Sequence, residues 1–255
     1  MIPHVLRASL AALAIAALVS SCAGTQGGDA NEAATTETFA PETFAPEGPL
    51  TYVSLGDSLA VGVGASDPRE KGYASLYRDL LEEQTGREVR LVQLGISGET
   101  TESFIYDPES QLARAEATLR ENPGAAVTLS IGANDLLREA GGTDAEREAA
   151  LARFAENLDY ILRTLKGASD PAPEITVLAI YNPAPGSFTD EWAARLNERI
   201  RAVAQRNGAR VAAADRAFLG HEAEYSHYDQ YSRDIHPTDR GYAALARAFA
   251  DVTIH

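Results

Sequence analysis

Short apolar, β-branched runs recur between residues 51 and 214, and longer stretches with helical spacing separate them. The runs that predict strands are Thr51–Leu55, Val89–Leu94, Ala126–Ile131, Ile175–Tyr181 and Arg210–Ala214. Strands that alternate with helices favour βαβ units with right-handed crossovers, and hence a mostly parallel sheet covered on both faces. The pattern therefore predicts one three-layer α/β domain over residues 50–255, with no room for a second domain.

Three helices are predicted from apolar residues that recur every three or four positions. Their apolar positions are Leu151, Phe154, Leu158, Ile161, Leu162 and Leu165 in the first, Trp192, Leu196, Ile200 and Val203 in the second, and Tyr242, Leu245, Ala246 and Phe249 in the third. Thr238 is placed to cap the last helix, and Asp239 lies in its first turn, where an acid is favourable.

The N-terminal residues depart from this alternation. Arg7 is the only charged side chain ahead of an apolar run from Ala8 to Val19, which is shorter than the roughly 20 residues needed to cross a bilayer. A basic start, a short apolar middle and small residues at the end are typical of a secretory signal peptide, predicted here over residues 1–21. The segment that ends at Cys22, VSSC, also resembles the lipobox of bacterial lipoproteins, in which the cysteine becomes the lipidated first residue.

Cys22 is the only cysteine of the chain, and an incidental cysteine beside an ordinary cleavage site is the alternative interpretation. The lipoprotein resemblance implies an exported, extracytoplasmic protein held at the cell membrane by a lipid on Cys22, with no disulfide in its domain. Residues 22–49 are rich in Gly, Ala, Thr, Glu and Pro and contain the repeat ETFAPETFAPE. We predict a disordered tether there, because so few apolar groups cannot offset the entropy of ordering.

The charge of the chain limits its partners. The formal net charge is −15, and without the five acids and one base of residues 1–49 there remain 32 acids against 21 bases, or −11. Such an acidic surface repels phosphate backbones, so we expect no nucleic-acid partner. It also disfavours adhesion to anionic membranes, and a lipid anchor would supply the attachment that electrostatics does not.

Reactive side chains lie after three of the predicted strands and near the C-terminus. The four segments are Gly56-Asp57-Ser58-Leu59, Gly95-Ile96-Ser97-Gly98-Glu99-Thr100, Gly132-Ala133-Asn134-Asp135 and Asp234-Ile235-His236-Pro237. Singly they are also typical of a helix cap, a turn glycine, a helix start and a loop histidine. Because the carboxyl ends of parallel strands meet at the ligand-binding edge of such a sheet, their coincidence favours one shared site.

Ester hydrolysis through serine needs a nucleophile, a base and hydrogen-bond donors for the developing oxyanion. Ser58 supplies a hydroxyl that can attack, and His236 supplies a base that titrates near neutrality. The side-chain amide of Asn134 and the backbone N–H groups of Gly98 and Ser58 are the candidate donors.

GDSL at 56–59, SGET at 97–100, GAND at 132–135 and DIHP at 234–237 resemble, in order and spacing, the four blocks of the GDSL/SGNH hydrolase family. The resemblance covers residues 51 to about 250. It implies a flavodoxin-like α/β/α fold with a five-stranded parallel sheet of order 2-1-3-4-5, and esterase or lipase activity through an acyl-enzyme without cofactor or metal. Carried over block by block, Ser58 is the nucleophile, His236 the base, and Ser58, Gly98 and Asn134 the oxyanion donors.

One position departs from the family pattern. The family usually has its acid three residues before the histidine, where this chain has Arg233, and a guanidinium has no lone pair to accept an imidazole N–H. Asp234 lies two residues before His236, and in an extended segment such residues face the same side. We expect Asp234 to orient His236, with a backbone carbonyl near Ser232 as the alternative.

Other chemistries fit less well. The chain has no G-x-S-x-G elbow and no phosphate-binding G-x-x-x-x-G-K-[ST] segment, and Asp67 stands where a dinucleotide fingerprint beginning at Gly62 needs a glycine. His221, His227 and His236 lack the spacing of metal ligands, so we expect no metal. The rival from another class is a non-catalytic surface lipoprotein that binds an acyl chain or a sugar in the same cleft.

The sequence leaves the substrate open between a short-chain ester, a lysophospholipid and an acetylated sugar. The loop of residues 221–233 is the candidate for shaping the pocket, and its tyrosines, Tyr225, Tyr228 and Tyr231, either line a cleft or pack the loop. We expect a monomer that binds a small ester or lipid.

Overall fold

The structure is a computed structural model that describes residues 48–187, 189–229 and 231–253. The predicted signal peptide, Cys22 and residues 22–47 of the predicted tether lie outside the described residues. Five parallel strands form one sheet with the order β2-β1-β3-β4-β5. The strands are β1 Leu50–Gly56, β2 Val89–Gln93, β3 Ala126–Ser130, β4 Glu174–Ala179 and β5 Arg210–Ala213. The predicted fold and strand order are confirmed, and each strand starts and ends within two residues of its predicted bounds.

Eleven helices lie within the described residues. They are α1 Ser58–Val61, α2 Pro68–Lys71, α3 Tyr73–Thr85, α4 Thr101–Tyr106, α5 Gln111–Glu121, α6 Ala133–Leu137, α7 Asp144–Lys166, α8 Thr189–Arg206, α9 Ala214–Ala217, α10 Glu222–Tyr225 and α11 Asp239–Thr253. The three predicted helices correspond to α7, α8 and α11, and Thr238 caps α11 by accepting the Gly241 N–H at 3.2 Å. No described helix combines the length and the apolarity needed to span a membrane.

The sheet separates two apolar cores, because alternate side chains of a strand point to opposite faces. On one face Val53, Leu55, Val127 and Leu129 join the buried residues of α4 to α8. On the other face the strands contribute fewer apolar side chains, Tyr52 among them, and pack against α1, α3, α9 and α11. Helices therefore cover both faces of the sheet.

Candidate active site

The end of β1 forces a sharp turn that presents Ser58. Gly56 has a φ of 122°, a conformation that disfavours any side chain, and a Cβ there would lie 1.9 Å from the carbonyl oxygen of Ser130 on β3. Asp57 follows as the N-cap of α1, and its Oδ1 accepts the Leu59 N–H at 3.0 Å. Ser58 is therefore the first residue of a short helix, with its side chain half-buried at the edge of the sheet.

Asp57 is a buried acid directly beside the serine. Its Oδ1 also accepts the hydroxyl of Ser130 at 2.9 Å, and its side chain is 2 % exposed. Burial raises the pKa of Asp57 to about 7, although the hydrogen bonds from Leu59 and Ser130 act in the opposite direction. The charge on this carboxyl group therefore changes near neutral pH.

Three other parts of the chain lie against the segment that carries His236. The Tyr181 hydroxyl, after β4, donates to the carbonyl oxygen of Ile235 at 2.6 Å, and the His227 N–H donates to that of His236 at 2.9 Å. Pro237 forms a bridge with Ser226. Gly64 allows the close approach on the other side, where a Cβ would lie 2.8 Å from the Cβ of His236.

The structure brings Ser58, His236 and Asp234 into one line of hydrogen bonds. His236 Nε2 lies 3.0 Å from Ser58 Oγ, and His236 Nδ1 lies 2.7 Å from Asp234 Oδ1. The same Oδ1 accepts the backbone N–H of His236 at 3.0 Å. Partial burial acts to raise the pKa of Asp234, but the hydrogen bonds and the charge of His236 outweigh it and lower that pKa.

Arg233, three residues before His236, adopts a left-handed backbone with a φ of 49°. A non-glycine residue rarely takes this conformation. Its N–H donates to the Asp229 carbonyl oxygen at 3.2 Å, so the chain turns at Arg233 and continues with Asp234, which contacts His236. Asp234, two residues before the histidine, is therefore the acid that contacts His236 Nδ1, at 2.7 Å.

The candidate oxyanion donors lie in the segments that directly follow β1, β2 and β3. Among the described residues, neither the Ser58 N–H nor the Gly98 N–H has an acceptor. Gly98 is exposed, with a φ of 81° and open space around its α-carbon. Asn134, at the second position of α6, donates one amide hydrogen to the carbonyl oxygen of Glu99 at 2.9 Å, which leaves its second hydrogen for a ligand.

An apolar cavity of about 220 Å³ opens beside Ser58 and His236. Its apolar walls come from α1, α6, α8, the loop after β4 and the C-terminal loop: Leu59, Leu136, Leu137, Ile180, Pro183, Ala193 and Ile235. Asn134 also lines this cavity, whereas Gly98 does not. Of the three tyrosines in the loop of residues 221–233, Tyr228 lines the cavity, Tyr225 packs on Phe218, and Tyr231 is 85 % exposed.

Sequence reasoning missed two buried polar residues next to this site, Glu99 and Gln111. Gln111 is completely buried, and its side chain bonds the backbone of Gly56. The sequence pattern could have indicated its burial, because Gln111 lies on the same face of α5 as the buried Ala115 and Leu119. A polar residue in an apolar stripe indicates a specific buried partner. Within the described residues, no group of three or more His, Cys, Asp or Glu side chains is arranged to hold a metal ion.

The fold and the four blocks define a class, the flavodoxin-like hydrolases that carry a serine and a histidine at the carboxyl edge of the sheet. The profile of the GDSL-like Lipase/Acylhydrolase family matches residues 54–244. The chain therefore belongs to the GDSL-like lipase/acylhydrolase family.

Known proteins agree with this assignment. The chain is 29 % identical over 211 residues to the spore germination lipase LipC of Bacillus licheniformis. This alignment covers 77 % of this chain and 93 % of the relative. The crystal structure of the lipase Lip_vut3 from a goat rumen metagenome has 25 % identity and a TM-score of 0.66, covering 80 % of this chain and 98 % of that one. The acetylxylan esterase Axe2 of Geobacillus stearothermophilus shares the fold, with 19 % identity, a TM-score of 0.60 and coverage of 79 % and 93 %.

Proposed function

We propose that the protein is a carboxylic ester hydrolase that works through an acyl-enzyme on Ser58, with His236 as the base. The observation that carries this proposal is the line of contacts from Asp234 Oδ1 to His236 Nδ1 at 2.7 Å and from His236 Nε2 to Ser58 Oγ at 3.0 Å. With Nδ1–H held by the carboxylate, Nε2 is the free acceptor for the serine proton.

In the first step Ser58 Oγ attacks the ester carbonyl carbon, its proton passes to His236 Nε2, and the carbonyl π electrons move onto the oxygen. The tetrahedral intermediate collapses by breaking the bond to the alcohol oxygen, which leaves with the proton from His236. Water then attacks the acyl-enzyme by the same route and releases the acid. The N–H groups of Ser58 and Gly98 and the free amide hydrogen of Asn134 stabilise the oxyanion in both steps.

The apolar cavity suggests which acids the enzyme accepts. Its walls are apolar and its volume is about 220 Å³, which suits an acyl chain. We propose esters of acids longer than acetic acid as the best substrates, because an acetyl group would leave most of these apolar walls in contact with water. Each methylene that the cavity buries contributes about 0.8 kcal/mol, or about fourfold in kcat/KM, until the cavity is full.

Hydrolysis of p-nitrophenyl esters tests the activity. We expect Ser58→Ala and His236→Ala to lower kcat by about 10⁴-fold or more, and Asn134→Ala by about 10²–10³-fold. His221→Ala is the matched control: His221 lies on the surface, stacked on Tyr225, and its loss should leave kcat unchanged. Unchanged turnover in Ser58→Ala would reject the hydrolase and favour an acyl-binding protein.

The role of Asp234 has its own test. Asp234→Asn keeps the size of the side chain but removes the carboxylate that holds His236 Nδ1–H, so kcat should fall by well over tenfold. A decrease in kcat of less than about tenfold would indicate that a backbone carbonyl near Ser232, and not Asp234, orients His236.

We also propose that the protein is exported and anchored by a lipid on Cys22. The support is the basic start, the short apolar run and the VSSC segment of the sequence. In cells fed radiolabelled palmitate, the protein should carry label in the membrane fraction, and Cys22→Ala should lose the label. Ser21→Ala, which keeps a small residue beside the cysteine, is the control that should retain it. An unlabelled wild-type protein would reject the anchor.

A further inference from the structure

A buried glutamine connects the turn before Ser58 to the loop after β2. Gln111 is the first residue of α5, and its Oε1 accepts the Gly56 N–H at 2.6 Å. Its Nε2 donates both to the carbonyl oxygen of Gly56 at 3.0 Å and to Glu99 Oε2 at 2.8 Å. One side-chain amide therefore bonds both backbone polar groups of Gly56 and ties the end of β1 to Glu99.

Glu99 is 4 % exposed and directly follows Gly98. One of its carboxyl oxygens accepts Gln111, and the other accepts the hydroxyl of Ser103. Its backbone carbonyl oxygen accepts the Asn134 amide at 2.9 Å. A buried carboxyl group is costly unless hydrogen bonds satisfy it, and both oxygens are satisfied here.

Glu99 is thus linked to all three loops that carry oxyanion donors. It is bonded covalently to Gly98, it holds Asn134 through its carbonyl oxygen, and it reaches the turn of Ser58 through Gln111. We propose that Glu99 and Gln111 are positioning residues that hold the three donors in register around the oxyanion, an inference that rests on the proposed function.

Register matters because donor geometry sets much of the rate. One lost oxyanion donor costs about 10²–10³-fold in kcat, and a misplacement of about 1 Å costs about 10²-fold. Neither Glu99 nor Gln111 lines the cavity beside Ser58, so both act through other residues and not on the acyl chain. Their loss should therefore lower kcat and leave KM nearly unchanged.

The test compares Glu99→Ala, Glu99→Gln and the control Glu102→Ala with a p-nitrophenyl ester as the substrate. Glu99→Ala should lower kcat by about 10- to 10²-fold and change KM by less than about threefold. Glu99→Gln should keep kcat within about fivefold of wild type, because its amide oxygen can still accept Gln111 and its NH₂ can donate to Ser103. Glu102, an exposed acid three residues along the chain, should be replaceable without loss of kcat.

A double-mutant cycle with Asn134→Ala separates positioning from general destabilisation. If Glu99 acts through the oxyanion donors, the loss in the double variant should be smaller than the product of the two single losses, because the share of the Glu99→Ala loss that comes from a misplaced Asn134 is already absent in the Asn134→Ala background. Losses that multiply would overturn the inference. If circular dichroism shows that Glu99→Ala is unfolded, Glu99→Asp replaces it in the same test with the same expectations. The aspartate side chain is one methylene too short to keep both contacts.

Failure of the inference and failure of the proposed function look different. If Ser58→Ala keeps wild-type turnover, the hydrolase itself is rejected and the positioning role with it. If Ser58→Ala is inactive while Glu99→Ala keeps wild-type kcat, only the positioning role is overturned.

Discussion

The buried Asp57 makes stability depend on pH in a direction that a single substitution can reveal. Its pKa is about 7 in the folded protein, against 3.8 for an unperturbed carboxyl. Between those values the folded protein holds a proton that the unfolded chain has lost, so stability falls as pH rises, by about 1.4 kcal/mol per pH unit. The free energy of unfolding stops falling once Asp57 loses its proton in the folded protein, near pH 7. The total fall from pH 5 to pH 8 is therefore about 3 kcal/mol.

Asp57→Asn should remove this slope without removing the contacts. The amide oxygen of asparagine can still accept the Leu59 N–H and the Ser130 hydroxyl, the two hydrogen bonds that Asp57 Oδ1 accepts. The free energy of unfolding of the variant, minus that of wild type, should therefore rise by about 3 kcal/mol from pH 5 to pH 8.

Urea unfolding, followed by the fluorescence of the single tryptophan, measures this difference. Trp192 is 4 % exposed on α8, so its emission reports loss of the core. Asp239→Asn is the control: the hydrogen bonds from Ser66 lower the pKa of Asp239 to about 2, and its folded and unfolded values both lie below pH 5, so its difference from wild type should stay flat. A flat difference for Asp57→Asn as well would mean that Asp57 is already ionised at pH 5, and the reasoning would be refuted.

Three further substitutions test the fold and the cavity. Gly56→Ala places a Cβ 1.9 Å from the Ser130 carbonyl oxygen and should lower the free energy of unfolding, measured in urea, by more than about 3 kcal/mol. Gly86→Ala, with open space at a φ of 64°, should lower it by only about 1 kcal/mol. Equal losses would contradict the close approach at Gly56. Phe154→Ala should cost about 3–5 kcal/mol because Phe154 is fully buried, and Tyr160→Ala on the exposed side of the same helix should cost less than about 1 kcal/mol. Ala193→Leu fills part of the cavity, so the p-nitrophenyl ester with the highest kcat/KM should have a shorter acyl chain than it has for wild type. If the preferred acyl length does not change, the acyl chain binds outside this cavity.

Much of the candidate site could be predicted because its residues follow local signals. Ser58 comes two residues after Gly56, the glycine that ends β1, and Asn134 comes shortly after β3, so the strand pattern alone brings them to one edge of the sheet. The arrangement of Asp234 followed a similar local argument, since an acid two residues away in extended backbone faces the same side as His236.

The periodicity of the chain by itself determined the five strands, the three longest apolar helices and the edge at which the chemistry gathers, because burial on a sheet face or a helix face repeats at fixed spacing. Tertiary structure alone decided the contacts between distant residues. Ser58 and His236 are 178 positions apart, and Gln111 reaches Gly56 across 55 positions. The burial that raises the pKa of Asp57 and the shape of the apolar cavity beside Ser58 likewise come from several elements packed together, and no local pattern encodes how such elements meet.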